Sequence, residues 1–150
     1  MEIYFDEVTP YNWKKVNSLQ VKAEQKHFVA SNVAILAKAF AYRKDKTKIA
    51  VIYYQKQPIG LIMQRDFKEY ENLICILDQF MIDKAYQGRG LGKQALQLWL
   101  SCIKAENKYI AIELCYKDTD YLAENLYKRL GFMRKPEDDE ADELAMRYDL

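Results

Sequence analysis

The stretch Tyr86-Gln87-Gly88-Arg89-Gly90-Leu91-Gly92-Lys93-Gln94-Ala95-Leu96 holds three of the chain's five glycines, at every second position. A glycine fixed in a fold costs backbone entropy, so such clustering needs a physical cause. The stretch follows an apolar run, "NLICILDQFMI" (72–82), and leads into a pattern in which Ala95, Leu96, Trp99, Leu100 and Ile103 recur at helical spacing. The run reads as a central strand buried on both faces, and a helix is expected from Gly92 to about Glu106. Three glycine-loop chemistries compete at the junction. A Walker loop lacks its first glycine, because position 87 is Gln, and its magnesium-binding hydroxyl, because position 94 is Gln. A dinucleotide fingerprint fails at Lys93 and falls too late in the chain. A pyrophosphate cradle at a helix N-terminus fits: backbone N–H groups from Gly88 to Lys93 would face the phosphates, with Arg89 and Lys93 adding charge. A tight turn with glycines at positive φ fits the spacing as well.

Working outward, "KIAVIYY" (48–54) and "IGLIMQR" (59–65) read as strands joined by a four-residue hairpin loop, "QKQP". Further strands are expected over residues 2–8, over "YIAIELCY" (109–116) and over "ELAMRYDL" (143–150). Pro10 suits the first turn of a helix whose apolar face is Trp13, Val16 and Leu19. Ser31 or Asn32 suits the cap of a second helix with Ile35, Leu36, Ala39 and Phe40 on its face. "DYLAENLYKRLGF" (120–132) reads as a helix closed by Gly131. The order β-α-α-β-β-β-α-β-α-β predicts a mixed sheet with helices on its faces, a three-layer α/β domain over residues 1–150.

The chain's 150 residues suit one domain, and a net charge of +1 gives no push toward nucleic acid or membrane. No signal peptide pattern opens the chain, so a cytoplasmic location is expected. Three widely spaced cysteines, Cys75, Cys102 and Cys115, point to buried free thiols rather than a disulfide or zinc framework. The single histidine, His27, rules out a multi-histidine metal site, and no metal is expected.

Two motifs carry a family resemblance. "YQGRGLGKQAL" resembles the Gln/Arg-x-x-Gly-x-Gly/Ala signature of the GNAT superfamily of acetyl-CoA-dependent N-acetyltransferases, with Gln87, Gly90 and Gly92 in its fixed positions. "AENLYKRLGF" (123–132) is similar to the family's Ala-x-x-Leu-Tyr-x-x-x-Gly-Phe, with Ala123, Leu126, Tyr127, Gly131 and Phe132 in register. The resemblance implies a mostly antiparallel central sheet and acetyl-CoA as co-substrate. It implies that Gln87, Gly88, Arg89 and Gly90, with Leu91, Gly92 and Lys93, cradle the pyrophosphate. The pantetheine arm would pair like an added strand with Phe80, Met81 and Ile82, and the N–H of Ile82 or Met81 would polarise the thioester carbonyl. Asp120 stands where the family often has Asn. A carboxylate near phosphates is unhelpful, so it is expected only to cap its helix.

Acetyl transfer needs a neutral amine. An alkyl ammonium has a pKa near 10.4, which leaves a neutral fraction of about 10⁻³ to 10⁻⁴ at neutral pH. Asp78 interrupts an apolar strand, where burial should raise its pKa and suit it as a base, while an ammonium substrate would lower it again; a strand-end Asp that faces solvent or pairs with a Lys is the alternative reading. The same position is acidic in the family's polyamine-acetylating members, where Glu is usual. Tyr127 matches the tyrosine that protonates the departing thiolate. The segment "EQKHFVASN" (24–32) looks like the polyamine enzymes' stretch between their first two helices, which implies Glu24, His27 and Asn32 as substrate contacts, with Glu113 beside the cleft. The run "EDDEADE" (137–143) would be a solvated loop or an acidic rim that draws cations. A small-molecule amine is the expected partner and a homodimer the expected assembly. A peptide amine acceptor, or a module that binds acetyl-CoA without catalysis, are the alternatives.

Overall fold

The computed structural model describes residues 2–150. Seven strands form one sheet in the order β1-β2-β3-β4-β5-β7-β6. They are β1 (Ile3–Asp6), β2 (Lys48–Tyr54), β3 (Gln57–Glu69), β4 (Asn72–Ile82), β5 (Ala111–Lys117), β6 (Met133–Arg134) and β7 (Glu143–Asp149). Four α-helices complete the domain: α1 (Trp13–Ser18), α2 (Asn32–Ala41), α3 (Leu91–Glu106) and α4 (Tyr121–Leu130). Every strand pair is antiparallel except β4 with β5. The expected three-layer α/β arrangement is what the chain adopts.

The strands' alternation sorts the core into two layers. On one face Ile52, Ile62, Cys75 and Leu77 pack with Leu96, Trp99 and Ile103 of α3 and with Tyr127 of α4. On the other, Val51, Leu61, Met63 and Met81 pack with Val16 of α1 and Ile35 of α2. All five apolar positions expected to form the inner face of α3 are buried. Trp13 and Phe40 are not: they stand 46% and 70% exposed, because α1 starts only at Trp13 and α2 turns Phe40 outward under the Arg43 guanidinium.

Other boundaries differ for local reasons. The β2–β3 connection is a two-residue turn at Gln55-Lys56, both with positive φ (50° and 64°), so β3 begins at Gln57 and Pro58 enters the strand. Helix α3 starts one residue early, at Leu91, and α4 starts after Asp120, whose side chain accepts the Ala123 N–H at 3.2 Å. Cys75 is buried as expected, whereas Cys102 and Cys115 are exposed, on α3 and β5.

Gly60 lets β3 and β4 approach closely: a Cβ there would lie 2.2 Å from the Met81 carbonyl oxygen. Backbone must move to accept it, at the end of the β3–β4 pair, where Gly60 faces Ile82. Gly60→Ala is expected to lower unfolding free energy by about 2–4 kcal/mol, read from urea denaturation midpoints. A loss below about 0.5 kcal/mol would show that the pair does not need this contact.

Candidate active site

β4 and β5 are neighbours for only three residue pairs, Ile74 with Ala111, Cys75 with Ile112 and Ile76 with Glu113. Beyond Ile76 the two strands part. β4 continues to Ile82 alongside β3, while β5 continues to Lys117 alongside β7. The gap opens into a cavity of about 580 Å³ that reaches both faces of the sheet. β4 also carries a bulge there: Met63 pairs with Gln79 and Gln64 with Leu77, which leaves Asp78 without an opposite residue. An extra residue shifts the alternation. Leu77, Phe80 and Ile82 therefore keep to the α3 face, while Asp78 and Met81 face the α1–α2 layer.

Asp78 is the buried charge at this opening, its side chain 4% exposed. Lys38 Nζ from α2 donates to Oδ1 at 2.6 Å, Arg65 Nε from β3 donates to Oδ2 at 2.8 Å, and the Gln79 amide donates to Oδ1 at 3.2 Å. Burial pushes its pKa up, but the hydrogen bonds from Lys38, Arg65 and Gln79 outweigh burial and hold the carboxyl below its usual range. The expected rise is thus reversed. The two cations lie 40 and 13 residues away in the chain.

At the far end of β4 the glycine loop closes the cavity. Gly88 and Gly90 hold φ of 74° and 76°, the left-handed region that costs other residues strain. Both glycines, with Leu91 and Gly92, line the cavity, and Gly90 is the N-cap of α3. Nothing lies within 4 Å of where a Gly88 Cβ would point. The loop therefore offers bare backbone at the positive end of a 16-residue helix, a surface suited to phosphate groups. Gln87 fastens it, donating to the Ile82 carbonyl and to Gln25 Oε1, each at 2.9 Å. Arg89 and Lys93 are exposed and lie outside the lining; the Arg89 guanidinium sits 5.5 Å from the Tyr54 and Tyr86 ring centres. Phe80, Met81 and Ile82 form the open flank of β4 along the cavity. Tyr127 reaches it from α4. Burial pushes the phenol pKa well above its ordinary value, with the charge of Asp120 adding to the effect.

Residues 45–134 match the model of the acetyltransferase (GNAT) domain, more than half of the chain. The chain belongs to the GNAT family. It is 32% identical, over the full length of both chains, to the "Probable spermine N(1)-acetyltransferase" of Bacillus subtilis subsp. natto (strain BEST195). It is 31% identical, again at full length, to the "Spermine/spermidine N(1)-acetyltransferase" of Bacillus subtilis (strain 168). Among solved structures, Arabidopsis thaliana Naa50 in complex with the bisubstrate analogue CoA-Ac-MVNAL superposes with a TM-score of 0.70, at 20% identity and with both chains fully covered. The protein is therefore an acetyl-CoA-dependent acyltransferase, and its glycine loop, helix dipole and open strand flank fit that co-substrate.

The GNAT site departs from expectation on the acceptor side. Asn32 is not at the cavity: its buried amide donates to the Val16 and Leu19 carbonyls at 2.7 and 3.2 Å and braces α1 against α2. Glu24 and His27 are exposed and outside the lining; His27 packs on Phe28 with ring centres 3.9 Å apart. Glu113 does line the cavity, but Lys135 and Arg147 already hold its Oε2 at 2.8 and 2.9 Å. The acidic run is largely spent on pairing: Asp139 with Arg134, Asp138 with Lys135, and Asp142 and Glu143 with Lys117. Lys38 and Arg65 are the site residues that sequence patterning did not single out. Asp120 caps α4 as expected, yet it also lines the cavity, and burial raises its pKa against the capping bond. No helix among the described residues is long and apolar enough to cross a membrane.

Asp78→Asn removes the charge that Lys38 and Arg65 share. Breaking a buried pair costs 3–5 kcal/mol. Lys38 is 38% exposed, so a loss of about 2 kcal/mol is expected at neutral pH. The folded carboxyl lies below its ordinary value of 3.8, so this stability is complete above that value and is lost as pH falls through the lower folded one. Urea denaturation of both proteins at neutral pH and near pH 3 should show the gap closing on acidification; a gap equal at both pH values would contradict it.

Proposed function

We propose that this GNAT enzyme acetylates a primary amine of a spermine- or spermidine-like polyamine by direct transfer from acetyl-CoA. The observation that carries the proposal is the Asp78 carboxylate, buried at the β4 bulge in the same cavity as Tyr127 and the glycine loop. A carboxylate that already holds two cations is a receptor for ammonium groups. The full-length likeness to relatives named as spermine acetyltransferases supports the choice of acceptor.

When bound, acetyl-CoA supplies an activated thioester carbonyl. The acceptor ammonium gives up two protons in all. One leaves before nitrogen attacks, and one as the new C–N bond replaces the C–S bond. One proton ends on the coenzyme A thiol and the other in solvent. Asp78 receives the ammonium and serves as base, through a bridging water where its short side chain falls short. With Lys38 and Arg65 in place the carboxyl is too acidic for that task. An acceptor ammonium in contact holds the carboxyl down in the same way, so the first proton leaves through water to solvent, and Asp78 takes the second only as attack on the carbonyl makes the bound nitrogen acidic. Tyr127 donates its O–H to the departing sulfur. A thiol's ordinary pKa is near 8.5, so the phenol keeps its proton at working pH and acts first as a hydrogen-bond donor.

The test is free-thiol release from acetyl-CoA with spermine, spermidine, putrescine and lysine- or N-terminal peptides. Turnover on polyamines above peptides is expected; turnover on peptides alone would overturn the acceptor. Tyr127→Phe is expected to lower kcat about 10²-fold while coenzyme A binding, measured by calorimetry, persists. An unchanged rate would make Tyr127 a packing residue only.

A further inference from the structure

Asp78 is held by two cations of different character. Arg65 is the fixed one: its Nε bonds Oδ2 at 2.8 Å, its guanidinium lies 5.0 Å from the Tyr42 ring centre, and its side chain is 23% exposed. Lys38 is the movable one. It makes a single bond to Oδ1 from the end of a flexible four-carbon stem near the last turn of α2, and it is 38% exposed. Gln79 also donates to Oδ1, at 3.2 Å. If Lys38 leaves, the carboxylate keeps Arg65 and Gln79 as donors. The opened position is the size and charge of one alkyl ammonium. A departing Lys38 can swing toward solvent, since its side chain is already 38% exposed and its Nζ lies 5.7 Å from the ring centre of the exposed Tyr42.

We propose that Lys38 is a built-in occupant of the acceptor-ammonium position, which an incoming amine must displace, so that Lys38 sets the enzyme's affinity for its acceptor. This rests on the reading that Asp78 receives the acceptor's ammonium. The exchange replaces one primary ammonium with another, and no buried charge is left unpaired at either end of it. The resting site is electrically the same as the loaded one, which removes the cost of holding a lone buried carboxylate between turnovers. The same arrangement selects against acceptors that cannot match the displaced ion pair: a neutral molecule would leave Asp78 with one cation fewer. The apparent affinity for the amine is the intrinsic affinity reduced by the fraction of molecules in which Lys38 has moved away.

The experiment compares acceptor KM in the wild type, Lys38→Met and Lys38→Arg, using whichever amine of the panel the wild type acetylates best. Lys38→Met keeps the stem and removes the competing charge; KM should fall about five-fold. Lys38→Arg keeps the charge and can grip the carboxylate with two donors, so KM should rise. A KM that is unchanged or higher in Lys38→Met overturns the proposal. Should the best acceptor be a peptide amine, a lower KM in Lys38→Met would uphold the role of Lys38 while the polyamine reading fails. A second readout needs no turnover. In protein carrying ¹³C-labelled lysine, the Lys38 ε-methylene signal, assigned by its loss in Lys38→Met, should shift when that same best acceptor is added to the coenzyme A complex. A signal that stays in place when that acceptor is saturating also overturns the proposal.

Discussion

The site exists because two parallel strands stop pairing. β4 and β5 hold each other for three residue pairs and then diverge, each continuing alongside its own antiparallel partner. A sheet interior normally consumes every backbone N–H and C=O. Past Ile76, β4 presents a row of these groups to a cavity instead of a strand. That open flank gives an extended ligand arm a place to pair, and it lets the cavity pass from one face of the sheet to the other. The bulge at Asp78 sits one turn of the pleat beyond the split, where it aims a carboxylate at the α1–α2 face while Phe80 and Ile82 stay packed against α3. The glycine loop follows at the end of the same strand. The buried carboxylate, the unpaired edge and the glycine loop thus follow one another along β4 and out of its end.

The electrostatics of the cavity follow from the same geometry. Asp78 and Glu113 stand on the two diverging strands, and each is held by two cations contributed by other elements. Neither is a bare negative charge waiting for substrate. Under the proposed exchange, a polycation entering here would gain little from long-range attraction and would gain instead by taking over bonds that lysine side chains already make. Such a site favours ligands whose charged groups match the displaced ones in size and hydrogen bonding, which is a stricter demand than acidity of the rim. The pairing of the 137–143 run with Arg134, Lys135 and Lys117 points the same way.

Much of this was legible in the chain because the signals are local. Strands β2 and β4 fall where their apolar runs begin and end, since those runs are bounded by turn residues. Helix α3 shows its buried face by spacing alone. Gly88 and Gly90 announced a backbone that no other residue adopts cheaply. What the chain did not show is what depends on tertiary neighbours. The bulge is a property of β3 and β4 together, and no residue type marks it. The direction of the Asp78 pKa is decided by Lys38 and Arg65, which are remote in sequence, so burial alone predicted the wrong sign. Asn32 looks like a substrate contact in one dimension and is a brace in three, because two carbonyls at the end of α1 reach its amide. β6 is two residues long and carries no period to read.

The central claim is that β4 offers an unpaired backbone edge beyond Ile76, to which the acetyl-CoA arm adds as a strand would. Residue-resolved amide hydrogen exchange of Leu77–Ile82, with and without coenzyme A, tests it directly. The amides that face the cavity should exchange fast in the free protein, those that face β3 slowly, and coenzyme A should slow the first set by at least about ten-fold. Uniform protection in the free protein, or no change in the cavity-facing amides on saturation with coenzyme A, would contradict the account.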